Sequence, residues 1–406
     1  MKEKIGVIGA GPAGAMAAIM ASSKDREVTI IEKNNKLGKK LYITGKGRCN
    51  VTNSIDIGSF LDYVVTNKNF LYSSLCSFTN NNLIQLLNSN GLETKIERGG
   101  RVFPKSNKSS DVIKLLEDKL EQENVKLLFG RSVRDIVPRD GKFKVFTNNG
   151  HLEFDKIILA SGGTSYPSTG STGELLDVCK KLGHKVIDPM PALVPIEIKN
   201  NFIKELQGLS LRNIELKTFY KGKEIFKEFG EMIFTHFGIS GPIVLSTSSY
   251  INRYDPEKLN FEIDLKPALT YEKLDNRVIR DFEAYNNKDF KNSLFDLLPR
   301  KIIPVVIEES NIDPNKTVHQ ITKDERGRLV KTIKGLNLEI ESLRSMKEAI
   351  ITSGGVDTNE INPSTMESNL VDGLFFAGEI IDVDALTGGF NLQIAFSTGV
   401  LAGRNI

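Results

Sequence analysis

Tryptophan is absent, cysteine occurs three times and histidine four times in 406 residues. The cysteines (Cys49, Cys76 and Cys179) are scattered and form no C-x-x-C, which argues against a disulfide framework and a zinc site and suits a reducing cytoplasm. The histidines lack metal-ligand spacing and no H-E-x-x-H occurs, so no metal is expected. Net charge is only 54 − 51 = +3, too little to imply a nucleic-acid partner by itself. No uninterrupted apolar segment reaches the ~20 residues of a membrane span. The start, "MKEK" then "IGVIGAGPAGAMAAIMASS", has the outline of a signal peptide, but Gly9, Gly11, Pro12 and Gly14 interrupt it at a spacing with another explanation. A P-loop is missing too. In "LGKKLYITGKGRCNVTN", residues 37–53, Lys46 is followed by Gly47 rather than Ser or Thr, and Gly38 to Gly45 is too long a spacing.

What remains is ordinary in composition: 40% hydrophobic and 26% charged residues, as in a soluble globular protein. The length suggests two or three domains. The 22 phenylalanines, Phe78 and Phe103 among them, read as core.

The first forty residues read as strand, tight turn, helix, strand. Residues 4–8 form a buried strand, and Gly9, Gly11 and Gly14 make G-x-G-x-x-G. A helix of small and apolar residues runs from about Ala13 to Ser22, and Glu27–Ile31 is a second strand. Glu32 ends that strand, 18 residues past Gly14. This is a dinucleotide-binding fingerprint in its required context. Gly9 permits the turn, Gly11 the approach of a pyrophosphate, and Gly14 close helix–sheet packing. The helix N-terminus offers N–H groups to phosphates, and Glu32 a carboxylate to a ribose hydroxyl. FAD and NAD are not distinguished by it. At the other end, residues 372–403 read as a buried strand (Leu374–Ala377), Gly378-Glu379, a loop, Gly388-Gly389 and a buried helix from about Asn391. Two glycines before a helix let a group press against its N-terminus, as a flavin ring that gains negative charge on reduction requires; an ordinary turn before a core helix fits equally.

Taken in order, "GAGPAG…EK", "GKKLYITGKGRCNVTN", "GGRVFPKSNKSSDV", "ASGGTSYPSTGSTG", "THFGISGP", "TSGGV" and "GLFFAGEIIDVDALTGGFNLQIAFSTG" resemble the flavoproteins of the aminoacetone oxidase family, also called YhiN-like or BaiN-type. The resemblance covers nearly the whole chain. It implies an α/β fold: a glutathione-reductase-like Rossmann FAD-binding domain (1–190 and 355–406), an inserted β-barrel-like domain (191–269 and 331–354) and a small helical domain (270–330). The prolines of "IDPMPALVPIEI" support a boundary near 190, and "NIELKTFY" and "KLNFEIDL" read as strands. The resemblance further implies FAD as cofactor and hydride transfer through flavin N5 to or from a small organic substrate, either enone or dienone reduction or amine oxidation. No second fingerprint of comparable quality occurs, so NADH or NADPH, if used, docks transiently. A flavin-dependent RNA-modifying enzyme and a non-catalytic redox sensor are the alternatives.

The expected cofactor contacts are Gly9, Ala10, Gly11, Pro12, Ala13 and Gly14 of the turn; Glu32 and Lys33; Lys40, Arg48, Cys49 and Asn50 of the basic loop; Val133; Ala160, Ser161 and Gly162; Gly378, Glu379 and Asp382; and Gly389, Phe390, Asn391 and Leu392. Lys39, Lys40 or Arg48 offsets phosphate charge in this reading, Asn50 or Asn53 meets the flavin edge, and Asp382 or Asp384 holds ribityl hydroxyls. Cys49 is expected to pack beneath the ring rather than act in redox, since no second cysteine lies near. The catalytic candidates are Tyr166 (stacking or proton donation), His236 (an acid near neutral pH, against a structural His) and Arg101 (an anionic or carbonyl substrate, against a surface ion pair).

Overall fold

The computed structural model describes residues 2–406. The chain divides into two compact units, one running to Ala192 and resuming at Met346–Ile406, the other Leu193–Ser345. The short Ile/Val/Leu runs that alternation does not explain are the strands of a parallel sheet covered on both faces. Its order is Leu374–Phe376, Lys156–Leu159, Glu3–Ile8, Arg26–Ile31, Lys126–Leu128, every neighbouring pair parallel. Ile5, Val7, Ile30, Ile157, Ile158 and Phe376 are wholly buried in it. The fold is thus the expected Rossmann-type α/β domain, built from both ends of the chain.

The helix after the first strand, Pro12–Ala21, starts with proline at its first turn, where the missing N–H costs nothing. It carries no charge because it is buried nearly all round. Gly14 explains how it comes so close: a Cβ there would overlap the Gly9 carbonyl oxygen. The C-terminal helix, Phe390–Asn405, packs along it through two more glycines four residues apart. Cβ atoms on Gly399 and Gly403 would overlap the carbonyl oxygens of Ala13 and Ala17.

Strand Ile351–Val356 pairs antiparallel with Val186–Ala192, so the chain re-enters the first unit at Met346 and not at 355. Nearby, His184 lies between Glu360 Oε2 (3.2 Å from Nδ1) and Ser368 Oγ (3.0 Å from Nε2). The connectivity is that of a nucleophile–base–acid triad, but the Ser368 hydroxyl accepts the N–H groups of Leu370 and Val371 and is buried. It is a clip on the turn that feeds strand Leu374–Phe376. Burial lowers the His184 pKa against the pull of Glu360.

The second unit holds a closed six-stranded barrel, in order Ile196–Ile198, Gly238–Ser240, Lys223–Phe234, Ser210–Tyr220, Leu259–Asp264, Leu336–Leu343. Helices Tyr271–Ala284, Ile303–Glu309 and Lys323–Lys334 share its apolar core, with Leu274, Val278, Val306 and Ile333 in one cluster with Phe261 and Leu338. Lys334 is buried against Asp264 Oδ2 (2.5 Å) and donates to the Leu269 carbonyl at 2.7 Å, which satisfies a charge that would otherwise be costly there. Pro242 opens helix Pro242–Ile251 as expected. Under that helix, Glu228 accepts from the Ser246 hydroxyl, and its Oε2 is enclosed with no hydrogen-bond partner among the described residues. Burial pushes its pKa from 4.5 up to about 7.

Two outcomes are expected for stability. Gly403→Leu should lose about 1–3 kcal/mol or more through overpacking, whereas Gly327→Ala, on an exposed helical site where a Cβ meets nothing within 4 Å, should gain about 0.5–1 kcal/mol; thermal denaturation compares them. The folded barrel holds the Glu228 proton more tightly than the unfolded chain between pH 4.5 and about 7, so its stability falls as pH rises through that window. Glu228→Gln should match the parent near pH 5 and exceed it by about 1–3 kcal/mol at pH 8; a difference independent of pH in paired melts would contradict this.

Candidate cofactor site

Parallel strands end together, and the loops beyond their carboxyl ends line a crevice. Three such ends meet at the glycine turn. Gly9 has φ +108°, and a Cβ on it would overlap the Ala160 oxygen at the end of the neighbouring strand. Gly378, after strand Leu374–Phe376, comes so close to the fingerprint helix that its Cβ would lie 2.8 Å from that of Ala13. Gly11 is different: a Cβ there would meet nothing within 4 Å. Packing within the chain therefore requires Gly9 and Gly14, while Gly11 keeps an open approach to the N–H groups of a ten-residue helix.

Glu32 lies at the next strand end, buried, and is already engaged. Its Oε2 accepts the Ala10 N–H at 2.8 Å, and its Oε1 accepts Asn34 N (2.8 Å) and Nδ2 (2.7 Å). The carboxylate thus fixes the turn and retains acceptor capacity on Oε2 for a hydroxyl. The Arg131 N–H donates to the Glu32 carbonyl at 2.9 Å, which brings the segment leading to buried Val133 beside this strand end. Lys33 reaches Thr172 Oγ1 at 2.6 Å.

The basic loop is committed to its own chain. Lys39 bonds Asn34 Oδ1 at 3.3 Å. Lys40 is held by Glu379 Oε2 at 2.6 Å and Ser165 Oγ at 2.5 Å. Arg48 pairs with Glu97, donates to Asn107 Oδ1 and lies 4.2 Å over the Phe103 ring. The expectation that these cations offset phosphate charge meets Lys39, Lys40 and Arg48 side chains that already have carboxylate or amide partners. Cys49 is wholly buried in a left-handed backbone conformation (φ 59°), and burial pushes its thiol up to about 12. It stays protonated, which agrees with packing rather than redox chemistry.

After Cys49 the loop crosses to the C-terminal helix. Thr52 Oγ1 donates to Gln393 Oε1 at 2.7 Å, and Asn53 Nδ2 donates to the Gly388 carbonyl at 3.2 Å. A Cβ on Gly389, the N-cap at φ +100°, would overlap the Thr52 carbonyl oxygen. Asn50 Oδ1 is enclosed here with no hydrogen-bond partner among the described residues. Asn391 closes the preceding loop by exchanging hydrogen bonds with Ala385 (2.9 and 2.7 Å). Phe390 is buried and stacked on Tyr63 at 4.4 Å, and Leu392 is half-buried. Asp382 is buried, and Asn67 Nδ2 donates to its Oδ2 at 3.0 Å; Asp384 is buried beside it.

Residues 160–173 arch away from Ala160, Ser161 and Gly162. Tyr166 is half-buried at φ 51°, and burial raises its pKa. Arg101 is exposed and donates to the Arg98 carbonyl at 3.0 Å. His236 belongs to the second unit, exposed and edge-on to Phe237 at 5.0 Å. Asn34, Ser165, Thr352 and Gln393 are the site residues that the sequence reading missed. Apart from the Asn34–Glu32 pair, their partners lie far along the chain, and no local spacing marks them.

Two helix N-termini, an open glycine and an engaged strand-end carboxylate describe a dinucleotide crevice. The family described as HI0933-like protein Rossmann domain matches residues 3–405. The chain belongs to this family. It is 32% identical to the 3-dehydro-bile acid delta(4,6)-reductase of Clostridium scindens over 99% of its length and 98% of that protein's. It is 29% identical to the ribosomal RNA dihydrouridine synthase of Escherichia coli over 97% of its length and 95% of that protein's. Among solved structures, 3-ketosteroid delta1-dehydrogenase from Sterolibacterium denitrificans superposes with a TM-score of 0.53 at 13% identity, covering 99% of each chain, a likeness of fold. Family membership makes this chain a flavin oxidoreductase. The residues present fit a flavin dinucleotide: the space before Gly11, the free lone pair of Glu32, and the enclosed Asn50 oxygen, two residues from the Thr52 on which the helix N-cap Gly389 rests, are each suited to one part of it.

Alkylation checks the reading of Cys49. Iodoacetamide at pH 8 should label exposed Cys76 and leave Cys49 and Cys179, both raised to about 12 by burial, unmodified by mass spectrometry of the folded protein.

Proposed function

We propose that this chain binds FAD in the crevice and reduces a carbon–carbon double bond conjugated to a carbonyl. The observation that carries the reading is the close packing of the fingerprint helix against the glycine-capped C-terminal helix, whose N-cap Gly389 lies on Thr52 of the loop that carries the unpartnered Asn50 oxygen. The printed activities of the two relatives support the chemistry. A 3-dehydro-delta(4,6) compound and a uracil ring each hold a carbon–carbon double bond in conjugation with a carbonyl, and one hydride and one proton reduce one such double bond in either.

FAD held there would supply hydride chemistry, with NADH or NADPH as its reductant. The protein orients and balances charge. The helix beginning at Phe390 offers backbone N–H groups where negative charge accumulates on reduction. Glu32 accepts a ribose hydroxyl. Tyr166 is the candidate proton source in the first unit, a phenol whose pKa burial raises above its ordinary value. Arg101 is a candidate for the substrate side. A small conjugated ketone is the favoured substrate, and reaction in a cytoplasmic setting suits three unpaired cysteines. No helix among the described residues is long and apolar enough to cross a membrane. The second reading, a uridine in RNA, has the name of the Escherichia coli relative in its favour and the small net charge of +3 against it.

The purified protein should show flavin absorption bands that bleach when NADH or NADPH is added without oxygen and return on addition of a 3-keto-4,6-diene. Bands that return with ribosomal RNA but not with any dienone would move the assignment to the second reading. A colourless protein that FAD cannot reconstitute would remove the proposal. Glu32→Ala should weaken FAD retention by about 1–3 kcal/mol in equilibrium dialysis.

A further inference from the structure

The segment 160–173 is anchored at both ends across the crevice. At its start Ala160 abuts Gly9. At its end Asn34 Nδ2, which also donates to Glu32, donates to the Thr169 carbonyl at 2.9 Å, and Lys33 Nζ reaches Thr172 at 2.6 Å. A Cβ on Gly170 would lie 2.5 Å from Asn34 Nδ2, so the arch rests directly on the residue that orients Glu32. The segment therefore runs from the phosphate turn to the ribose carboxylate.

Its centre is held by charge. Ser165 Oγ donates to Glu379 Oε1 at 2.9 Å and accepts from Lys40 Nζ at 2.5 Å. Lys40 Nζ lies 2.6 Å from Glu379 Oε2, and the Thr352 N–H donates to Glu379 Oε1 at 2.8 Å. Thr352 Oγ1 in turn accepts the N–H groups of Thr164 (2.8 Å) and Ser165 (3.1 Å). Immediately after this anchor Tyr166 adopts φ 51°, ψ 59°, although Pro167 comes next and favours an extended residue before it. A side chain in this region costs about 1–2 kcal/mol and persists only where surrounding bonds enforce it. The bonds that do so are the Ser165 anchor and the Thr169 N–H and hydroxyl on the Tyr166 carbonyl (2.8 and 2.7 Å). The ion pair is about one-quarter exposed on each side, so it is strong enough to hold the segment and accessible enough to break.

We infer that Lys40 and Glu379 form a latch that holds segment 160–173 across the dinucleotide crevice and sets the rate at which the cofactor enters and leaves. They act as positioning residues through Ser165 and the strained Tyr166 turn. The inference rests on the proposal that FAD binds there. It separates these two residues from those that recognise the cofactor: a latch slows uptake and release together, whereas a direct ligand slows release alone.

The test uses the holoenzyme and its reconstituted apoprotein, with FAD fluorescence as readout. Lys40→Met and Glu379→Gln should each raise the FAD release rate about tenfold and raise the uptake rate as well, with Lys40→Arg close to the parent. Salt should accelerate release from the parent more than from either variant. Hydrogen–deuterium exchange of the apoprotein, read in peptides spanning residues 160–173, should be faster in both variants than in the parent, and Ser165→Ala should reproduce this with both charges intact. Unchanged release in variants that melt like the parent overturns the latch. So does faster release with unchanged uptake, which would make Lys40 or Glu379 a direct ligand. Faster exchange of segment 160–173 in a chain that binds no FAD at all would retain the latch of the segment and reject the cofactor, and exchange at the parent's rate would reject the latch whether or not FAD binds.

Discussion

The first unit depends on the contact between two helices that begin and end the chain. Helix Pro12–Ala21 and helix Phe390–Asn405 approach until Gly399 and Gly403 lie against the carbonyl oxygens of Ala13 and Ala17. No side chain larger than hydrogen fits between them. The approach is possible because the first helix has itself been drawn onto the sheet by Gly14 over Gly9. One spacing therefore propagates: turn to helix, helix to helix. Its consequence is that the N-termini of both helices are brought to one crevice, where partial positive charge and unsatisfied N–H groups accumulate. A bulkier interface would move the second N-terminus away from the first, and the crevice would lose one of its two poles.

This arrangement was legible in the sequence to an uneven degree. Gly9, Gly11, Gly14 and Glu32 are close enough along the chain for spacing to declare them, and the structure agrees on the turn, the helix and the strand end. The helix after Gly388-Gly389 was visible as a buried one, since apolar and small residues cover most of its surface. The meaning of Gly399 and Gly403 was not, because a small pair on a helix is silent until its partner is known. Strand Ile351–Val356 belongs with Val186–Ala192 by antiparallel pairing across a span that no period reports. Thr352 holding Thr164 and Ser165, and Gln393 holding Thr52, are of the same kind. The side-chain hydroxyls and amides that tie the site together have no pattern of their own. Lys40 and Glu379 were each visible as candidates for the cofactor, but the ion pair that joins them was not.

The charges around the crevice are balanced within the chain before any ligand is considered. Lys40 is matched by Glu379, Arg48 by Glu97, and Lys33 by Glu174 at 3.2 Å. A stretch that reads as a basic loop is in fact a set of struts. This matters for selectivity. A free ammonium on a flexible stem binds any phosphate that diffuses past, and it gives up rotamer freedom each time it does so. Backbone N–H groups at a helix end are fixed before the ligand comes, so they lose nothing on binding and accept only an anion that reaches into the turn. Gly11 leaves that path open, and Glu32, whose carboxylate the Ala10 N–H holds at the rim, adds a negative charge that disfavours a phosphate on the ribose. On the proposed reading the crevice attracts an internal pyrophosphate through dipoles and repels a terminal phosphate through a carboxylate. A dinucleotide with an unmodified ribose is the ligand that satisfies both conditions, while Lys33 and Lys40, through Thr172 and Ser165, hold segment 160–173.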